Sequence, residues 1–171
     1  TSFHGFDANG FVREKGKDAY KDLFCREHFY TCNTNFTKKK IVEIGCPEDC
    51  VYIIPESLKV NKFFRPERPI PKESVTVLTV GRLVEKKGYE YSIQAIAEVY
   101  KTYKNIRYII AGDGPLRQKL QLLVDQLQLG DVVQFRGALP EDEIIKLYHL
   151  ADVFMLPSVT AQNGDMEGQA L

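Results

Sequence analysis

Apolar positions change their period along this chain. From Val75 onward, short continuous apolar runs alternate with stretches whose apolar residues recur at helical spacing, the pattern of parallel strands joined by crossover helices. Val75-Thr76-Val77-Leu78-Thr79-Val80 reads as a buried strand, and Tyr89, Ile93, Ile96, Ala97, Tyr100 and Tyr103 form one helical stripe after it. Ile106 to Ala111 is the next strand, closed by Gly112-Asp113-Gly114-Pro115. Proline there suits the first turn of a helix carrying Leu116, Leu120, Leu123, Val124 and Leu127, with Gly130 as its stop. Val132 to Phe135 is a short strand, Pro140 opens a helix with Ile144, Leu147 and Tyr148 inward, and Val153 to Leu156 is a strand again. The sum is half of a doubly wound sheet.

The region before Val75 is less regular. It reads as a short helix over Asp18 to Phe24, a strand over His28 to Thr31, and a helix capped by Asn33 or Thr34 that runs to Gly45. Val51 to Ile54 is a strand stopped by Pro55. Pro66, Pro69 and Pro71 interrupt any period between Phe64 and Pro71, which marks a linker.

Composition narrows the reading. The chain has 171 residues, 44% of them apolar, enough to bury a core. Lys plus Arg equals Asp plus Glu at 23 each, so no overall basic field draws it to nucleic acid and an anion site must be built locally. No apolar segment approaches the roughly 20 residues that a membrane span needs, and Lys38-Lys39-Lys40 is most simply a solvated helix face. The start, Thr1-Ser2-Phe3-His4-Gly5, has neither a signal peptide nor an initiator methionine, and the chain reads as cut from something longer. Four cysteines, Cys25, Cys32, Cys46 and Cys50, lack the paired spacing of structural zinc sites and read as reduced, partly buried thiols.

The candidate chemistry sits in three loops at the carboxyl ends of strands, where open parallel sheets collect ligands. Gly81-Arg82-Leu83-Val84-Glu85-Lys86-Lys87-Gly88 puts cations and glycines between a strand and a helix start, and a phosphate or diphosphate suits that setting. A solvated basic loop is the competing reading of the octet alone. Gly112-Asp113-Gly114 lacks the third glycine of a dinucleotide fingerprint and is equally a tight turn capped by Asp113. Glu167 suits either a dipole partner of a following helix or a ligand for sugar hydroxyls.

Taken in order, Gly81-Arg82-Leu83 with Lys86-Lys87-Gly88, Gly112-Asp113-Gly114-Pro115-Leu116, Phe135-Arg136-Gly137, Ala151 to Ser158, and Glu167-Gly168 resemble family 4 retaining glycosyltransferases of the two-domain, Rossmann-like GT-B architecture. His4-Gly5-Phe6-Asp7 is similar to that family's histidine motif, particularly in bacterial exopolysaccharide or lipopolysaccharide enzymes. The resemblance implies an α/β fold in which residues 1–63 are the tail of an acceptor-side domain, 64–73 a hinge, and 74–171 a donor-binding domain truncated at its end. It implies a nucleotide-diphosphate sugar as donor, a saccharide or lipid-linked acceptor, no nucleic acid, and no metal or other cofactor. Arg82 and Lys87 would neutralise the departing diphosphate, Glu167 would hold donor sugar hydroxyls, and His4 would approach the donor sugar from the other domain. Gly137, Ala138 and Leu139 would present backbone groups to the nucleobase, and Gly164, Asp165 and Met166 would offer amides near the sugar and phosphates. The second carboxylate of the family's signature would fall beyond Leu171. A cytoplasmic enzyme of cell-surface polysaccharide synthesis, peripheral at the inner membrane face through its N-terminal domain, is the implied setting, and this segment alone is expected to be inactive. A noncatalytic nucleotide-binding module and a nicotinamide-dependent dehydrogenase are the competing classes, the latter weakened by the incomplete fingerprint.

Overall fold

The computed structural model describes residues 1–26, 29–64 and 74–167. His28, most of the expected linker, and Gly168 lie outside them. The chain forms two compact units, Thr1–Leu58 with Val159–Leu171, and Lys59–Ser158. By contacts, therefore, the described residues after Ser158 group with the first unit, and the division falls before Lys59.

In the first unit, β1 (Ser2–Phe3), β2 (Tyr30–Cys32) and β3 (Val51–Ile53) form a parallel sheet in that order. Two short helices follow β1, α1 (Gly5–Ala8) and α2 (Gly10–Lys15). Neither is expected from the sequence, because four and six residues are too few for a helical period to register. The helix expected over Asp18 to Phe24 is split into a 3-10 turn, Lys17–Tyr20, and α3 (Lys21–Phe24). Thr34 caps α4 (Asn35–Glu43) by accepting a bond from the Thr37 amide at 3.1 Å. One sheet face packs Phe3, Tyr30, Cys32 and Val51 against Phe24 and Ile41. Edge-on aromatic pairs, Phe3 with Tyr20 and Phe24 with Tyr30, fill this core.

The second unit holds β4 (Val75–Val80), α5 (Tyr89–Thr102), β5 (Ile106–Ala111), α6 (Arg117–Gln126), β6 (Val133–Gly137), α7 (Glu141–Leu150) and β7 (Val153–Phe154). All its strands are parallel, in the order β6-β5-β4-β7. Alternate residues of β4 and β5 serve two cores, as a sheet covered on both faces requires. Val77, Tyr108 and Ile110 pack with Ile93, Ile96, Leu120 and Val124 of α5 and α6. Leu78, Ile109 and Ala111 pack with Leu147 and Ala151 of and after α7.

Three local expectations change. The α6 helix begins at Arg117, so Pro115 lies in the turn before it rather than in its first turn. Gly130 does not stop that helix; Gln128 does, at φ 55°. The Gln128 amide bonds the Asp125 carbonyl at 3.1 Å and the Leu129 amide the Val124 carbonyl at 3.0 Å, a Schellman cap in which glutamine takes the left-handed position. The β7 strand is two residues long, shorter than the four expected, because its pairing with β4 covers only Val153 and Phe154.

Candidate functional site

Strand order defines a switch point in the second unit. Successive strands β4, β5 and β6 step outward in one direction, and β7 returns to the other side of β4. The carboxyl ends of β4 and β7 meet at this switch point, the place where open α/β sheets bind ligands. The octet Gly81 to Gly88 is the loop after β4.

Backbone contacts hold this loop against its neighbours. The Gly81 amide bonds the Ala111 carbonyl at 2.9 Å, Leu83 bonds Asp113 at 3.0 Å, and Leu116 bonds Leu83 at 3.1 Å. Glycine is demanded where these loops meet: a methyl at Gly112 would fall on the Gly81 carbonyl, one at Gly88 on the Pro157 carbonyl, and one at Gly114 on the Leu83 backbone. The loops after β4, β5 and β7 are thus in direct contact. Gly112 also bonds the Gly137 carbonyl at 2.7 Å, which brings in the loop after β6.

Arg82 is exposed on this loop, and Lys87 is half-buried at its end, immediately before Gly88 and the first turn of α5. Leu83 between them is fully buried and pins the loop to the core. Two cations are thereby presented beside a helix N-terminus, an arrangement that attracts phosphate. Asp113 bonds the Gly114 amide with its own carboxylate at 2.7 Å, so it caps its turn. Asp152 bonds the Thr76 amide at 2.8 Å near the opposite ends of these strands, a structural bridge remote from the loops. Gly137 ends β6, Ala138 is exposed, and Leu139 packs on the α7-side core.

The other candidates lie in the first unit. His4 follows β1 directly, stands at the N-terminus of α1, and donates its backbone amide to the Asp7 carboxylate at 2.9 Å. Its Nδ1 lies 2.9 Å from Glu56 Oε1, a partner that sequence separation conceals. Asn163, Gly164 and Asp165 form a tight turn: the Ala161 amide bonds the Asp165 carbonyl at 2.8 Å and the Asp165 amide bonds Asn163 Oδ1 at 2.9 Å. Gly164 is buried, lies against the Arg13 guanidinium and stands at φ 78°, a left-handed conformation that favours glycine. Met166 and Glu167 are half-buried. Gly81, Arg82, Lys87 and Gly137 thus belong to one unit, and His4, Gly164, Asp165, Met166 and Glu167 to the other.

The four cysteines are free thiols, and burial pushes Cys46 up to about 11. Among the described residues no three His, Cys, Asp or Glu side chains converge as metal ligands, and no helix is long and apolar enough to cross a membrane.

Known proteins carry the same pattern. The chain is 32% identical over 169 residues to WcaL of Escherichia coli (strain K12), whose name links it to colanic acid biosynthesis; the match covers 98% of this chain and 42% of WcaL. The amylovoran biosynthesis glycosyltransferase AmsK of Erwinia amylovora is 31% identical, with coverage of 98% and 42%. This chain therefore spans less than half the length of these relatives. Among solved structures, Anabaena HepE in complex with UDP and glucose superposes with a TM-score of 0.73 at 16% identity, over 94% of this chain and 46% of that one. The fold is GT-B, as the order of motifs implies. Residues 60–170 match the family described as Glycosyl transferases group 1, and the chain belongs to that family.

Proposed function

We propose that this chain carries the donor-diphosphate site of a retaining glycosyltransferase that moves a sugar from a nucleotide-diphosphate sugar to a saccharide or lipid-linked acceptor in cell-surface polysaccharide synthesis. The observation that carries the reading is the Arg82 to Lys87 loop at the carboxyl end of β4, beside the α5 N-terminus and at the switch point of the sheet. The names of WcaL and AmsK support a polysaccharide product, and HepE with UDP and glucose supports a nucleotide-sugar donor.

In this reading the bond between the anomeric carbon and the diphosphate oxygen breaks as negative charge grows on the leaving group. Arg82 and Lys87 stabilise that charge most where it is greatest, with a planar fork and a point charge respectively. The acceptor oxygen bonds the anomeric carbon on the same face, and its proton passes to the departing phosphate. Glu167 holds sugar hydroxyls, His4 approaches the sugar, Gly137 to Leu139 present backbone to the base, and Gly164 to Met166 offer amides near the sugar and phosphates. With the diphosphate neutralised by side chains and helix dipole, the reaction needs no metal, and the enzyme works at the cytoplasmic face.

Calorimetric titration of the full-length protein with UDP and GDP tests this. One of them binds, and Arg82→Ala weakens it about ten-fold or more, the scale of a hydrogen bond to a charged group. Turnover persists in EDTA. Absence of binding by either nucleotide, or wild-type affinity in both Arg82→Ala and Lys87→Ala, overturns the reading.

A further inference from the structure

A chain of hydroxyl groups runs through the interior directly behind the cationic loop. The Tyr108 hydroxyl on β5 lies 2.7 Å from Thr79 Oγ1 on β4 and donates to Ser92 Oγ on α5 at 2.8 Å. Ser92 Oγ in turn donates to the Tyr89 carbonyl at 2.8 Å, and Thr79 Oγ1 to the Met155 carbonyl just past β7. Thr79, Ser92 and Tyr108 are each at most 1% exposed. Three hydroxyls in a dry core are costly unless bonded, so this chain holds one geometry. It ties the first turn of α5 to β4, β5 and the segment after β7.

The chain's output is Tyr89. Its ring is buried, and its hydroxyl donates to the Gly81 carbonyl at 2.7 Å, across the base of the loop. Burial pushes the phenols of Tyr89 and Tyr108 up, so both remain protonated donors. The stem of Lys87 passes near the same glycine, on the side where a side chain would project. A methyl on Gly81 would stand 3.4 Å from the Tyr89 hydroxyl oxygen and 3.5 and 3.8 Å from Lys87 Cε and Cδ. The lysine stem and the Tyr89 hydroxyl therefore flank the same side of Gly81, whose carbonyl Tyr89 holds.

We propose that Tyr89 is the positioning residue for Lys87: clamped by the Thr79–Tyr108–Ser92 chain, its hydroxyl fixes the Gly81 backbone beside which the lysine stem passes, and so aims the ammonium at the second phosphate of the donor. This rests on the proposed donor-diphosphate site. It assigns a task to a buried aromatic whose helical spacing otherwise describes only core packing.

The test is a double-mutant cycle in the full-length protein, read as the preference for a nucleoside diphosphate over its monophosphate, with UDP against UMP and GDP against GMP as probes. Lower folded population weakens both members of a pair alike, whereas loss of aim at the second phosphate shrinks the ratio. Tyr89→Phe is expected to cut the preference about five-fold, the size of one hydrogen bond. Lys87→Ala is expected to cut it further, and the double variant to match Lys87→Ala alone. Ser92→Ala, which removes one anchor without touching the loop, is expected to cut the preference about two-fold and serves should Tyr89→Phe not fold. An unchanged ratio in Tyr89→Phe and Ser92→Ala, or strictly additive effects in the double variant, overturns the inference while Lys87→Ala still lowers the ratio. If Lys87→Ala and Arg82→Ala both leave it unchanged, the donor-site reading itself falls.

Discussion

The two sheets of this protein solve burial differently. In the second unit the six-residue strands β4 and β5 are covered on both faces, with Val77, Tyr108 and Ile110 on one side and Leu78, Ile109 and Ala111 on the other. In the first unit the strands are two or three residues long, and among the described residues the face bearing Phe3, Tyr30, Cys32 and Val51 is the one packed in a core. The opposite face carries Ser2, Thr31 and Tyr52, the last of them 52% exposed. A sheet sandwiched between helices needs a continuous apolar run, and one covered on a single face needs alternation only. The cationic loop thus rises from a doubly covered strand, while His4 follows a strand of the shorter sheet.

Glycine substitutions break this comparison most strongly. Gly112→Ala drives a methyl into the Gly81 carbonyl at φ 145°, where neither backbone can yield without parting the loops after β4 and β5. A loss of about 3 kcal/mol or more is expected in thermal or denaturant unfolding. In the first unit, Gly45 stands at φ 104° with nothing within 4 Å of the added methyl. Gly45→Ala should cost about 1–2 kcal/mol, the left-handed penalty alone. Equal losses would mean that the packing of the second unit is no tighter.

Alkaline pH separates the units next. Cys46 has an ordinary value of 9.0 and about 11 in the folded chain, raised by burial and then by the neighbouring Cys50 and Cys32 thiols. Below pH 9 the thiol is neutral in both states and stability is unaffected. Between about 9 and 11 the unfolded chain ionises and the folded one resists, so stability falls; above that window the loss is complete. For Tyr89 in the second unit the ordinary value is 10.0 and burial raises it, so the corresponding loss begins only near pH 10. Hydrogen exchange, which reports the two units separately, should find the first unit loosening at lower pH. A first unit unchanged from pH 8 to 10.5 would contradict the buried state of Cys46.

The smallest effect sharpens the comparison at two helix ends. The α4 and α6 helices finish in the same cap, with Cys46 bonded to Ile41 and Leu129 to Val124, both at 3.0 Å. Gly45 holds the left-handed position in one and Gln128 in the other. Gln128→Gly should therefore stabilise the second unit slightly or leave it unchanged, within about 1 kcal/mol, because relief of the left-handed strain is offset by greater freedom of the unfolded chain. A marked loss in thermal midpoint would show that the glutamine side chain contributes more than its backbone costs.

Legibility followed the same division. The boundaries of β4 and β5 coincide with their apolar runs, and α5 starts at the first residue of its stripe. The first unit escaped in part because α1, α2 and β1 are shorter than any period they could display. The cationic loop was legible because glycine and charge follow an apolar run in series. The Tyr89 brace was not: a tyrosine on an apolar stripe looks like core, and its partner is a carbonyl eight residues earlier. Glu56 beside His4 was hidden by a separation of 52 residues.

By itself the sequence determined which segments become strands and helices in the second unit, and that cations and glycines end its first strand. Those are local properties, set by side-chain period, backbone freedom and charge. Only the tertiary structure decided that β7 returns to the far side of β4, that Gly88 meets Pro157, and that hydroxyls from β4, α5 and β5 join in one chain. Strand order and such meetings arise when distant segments compete to bury the same faces, and no local period records the outcome.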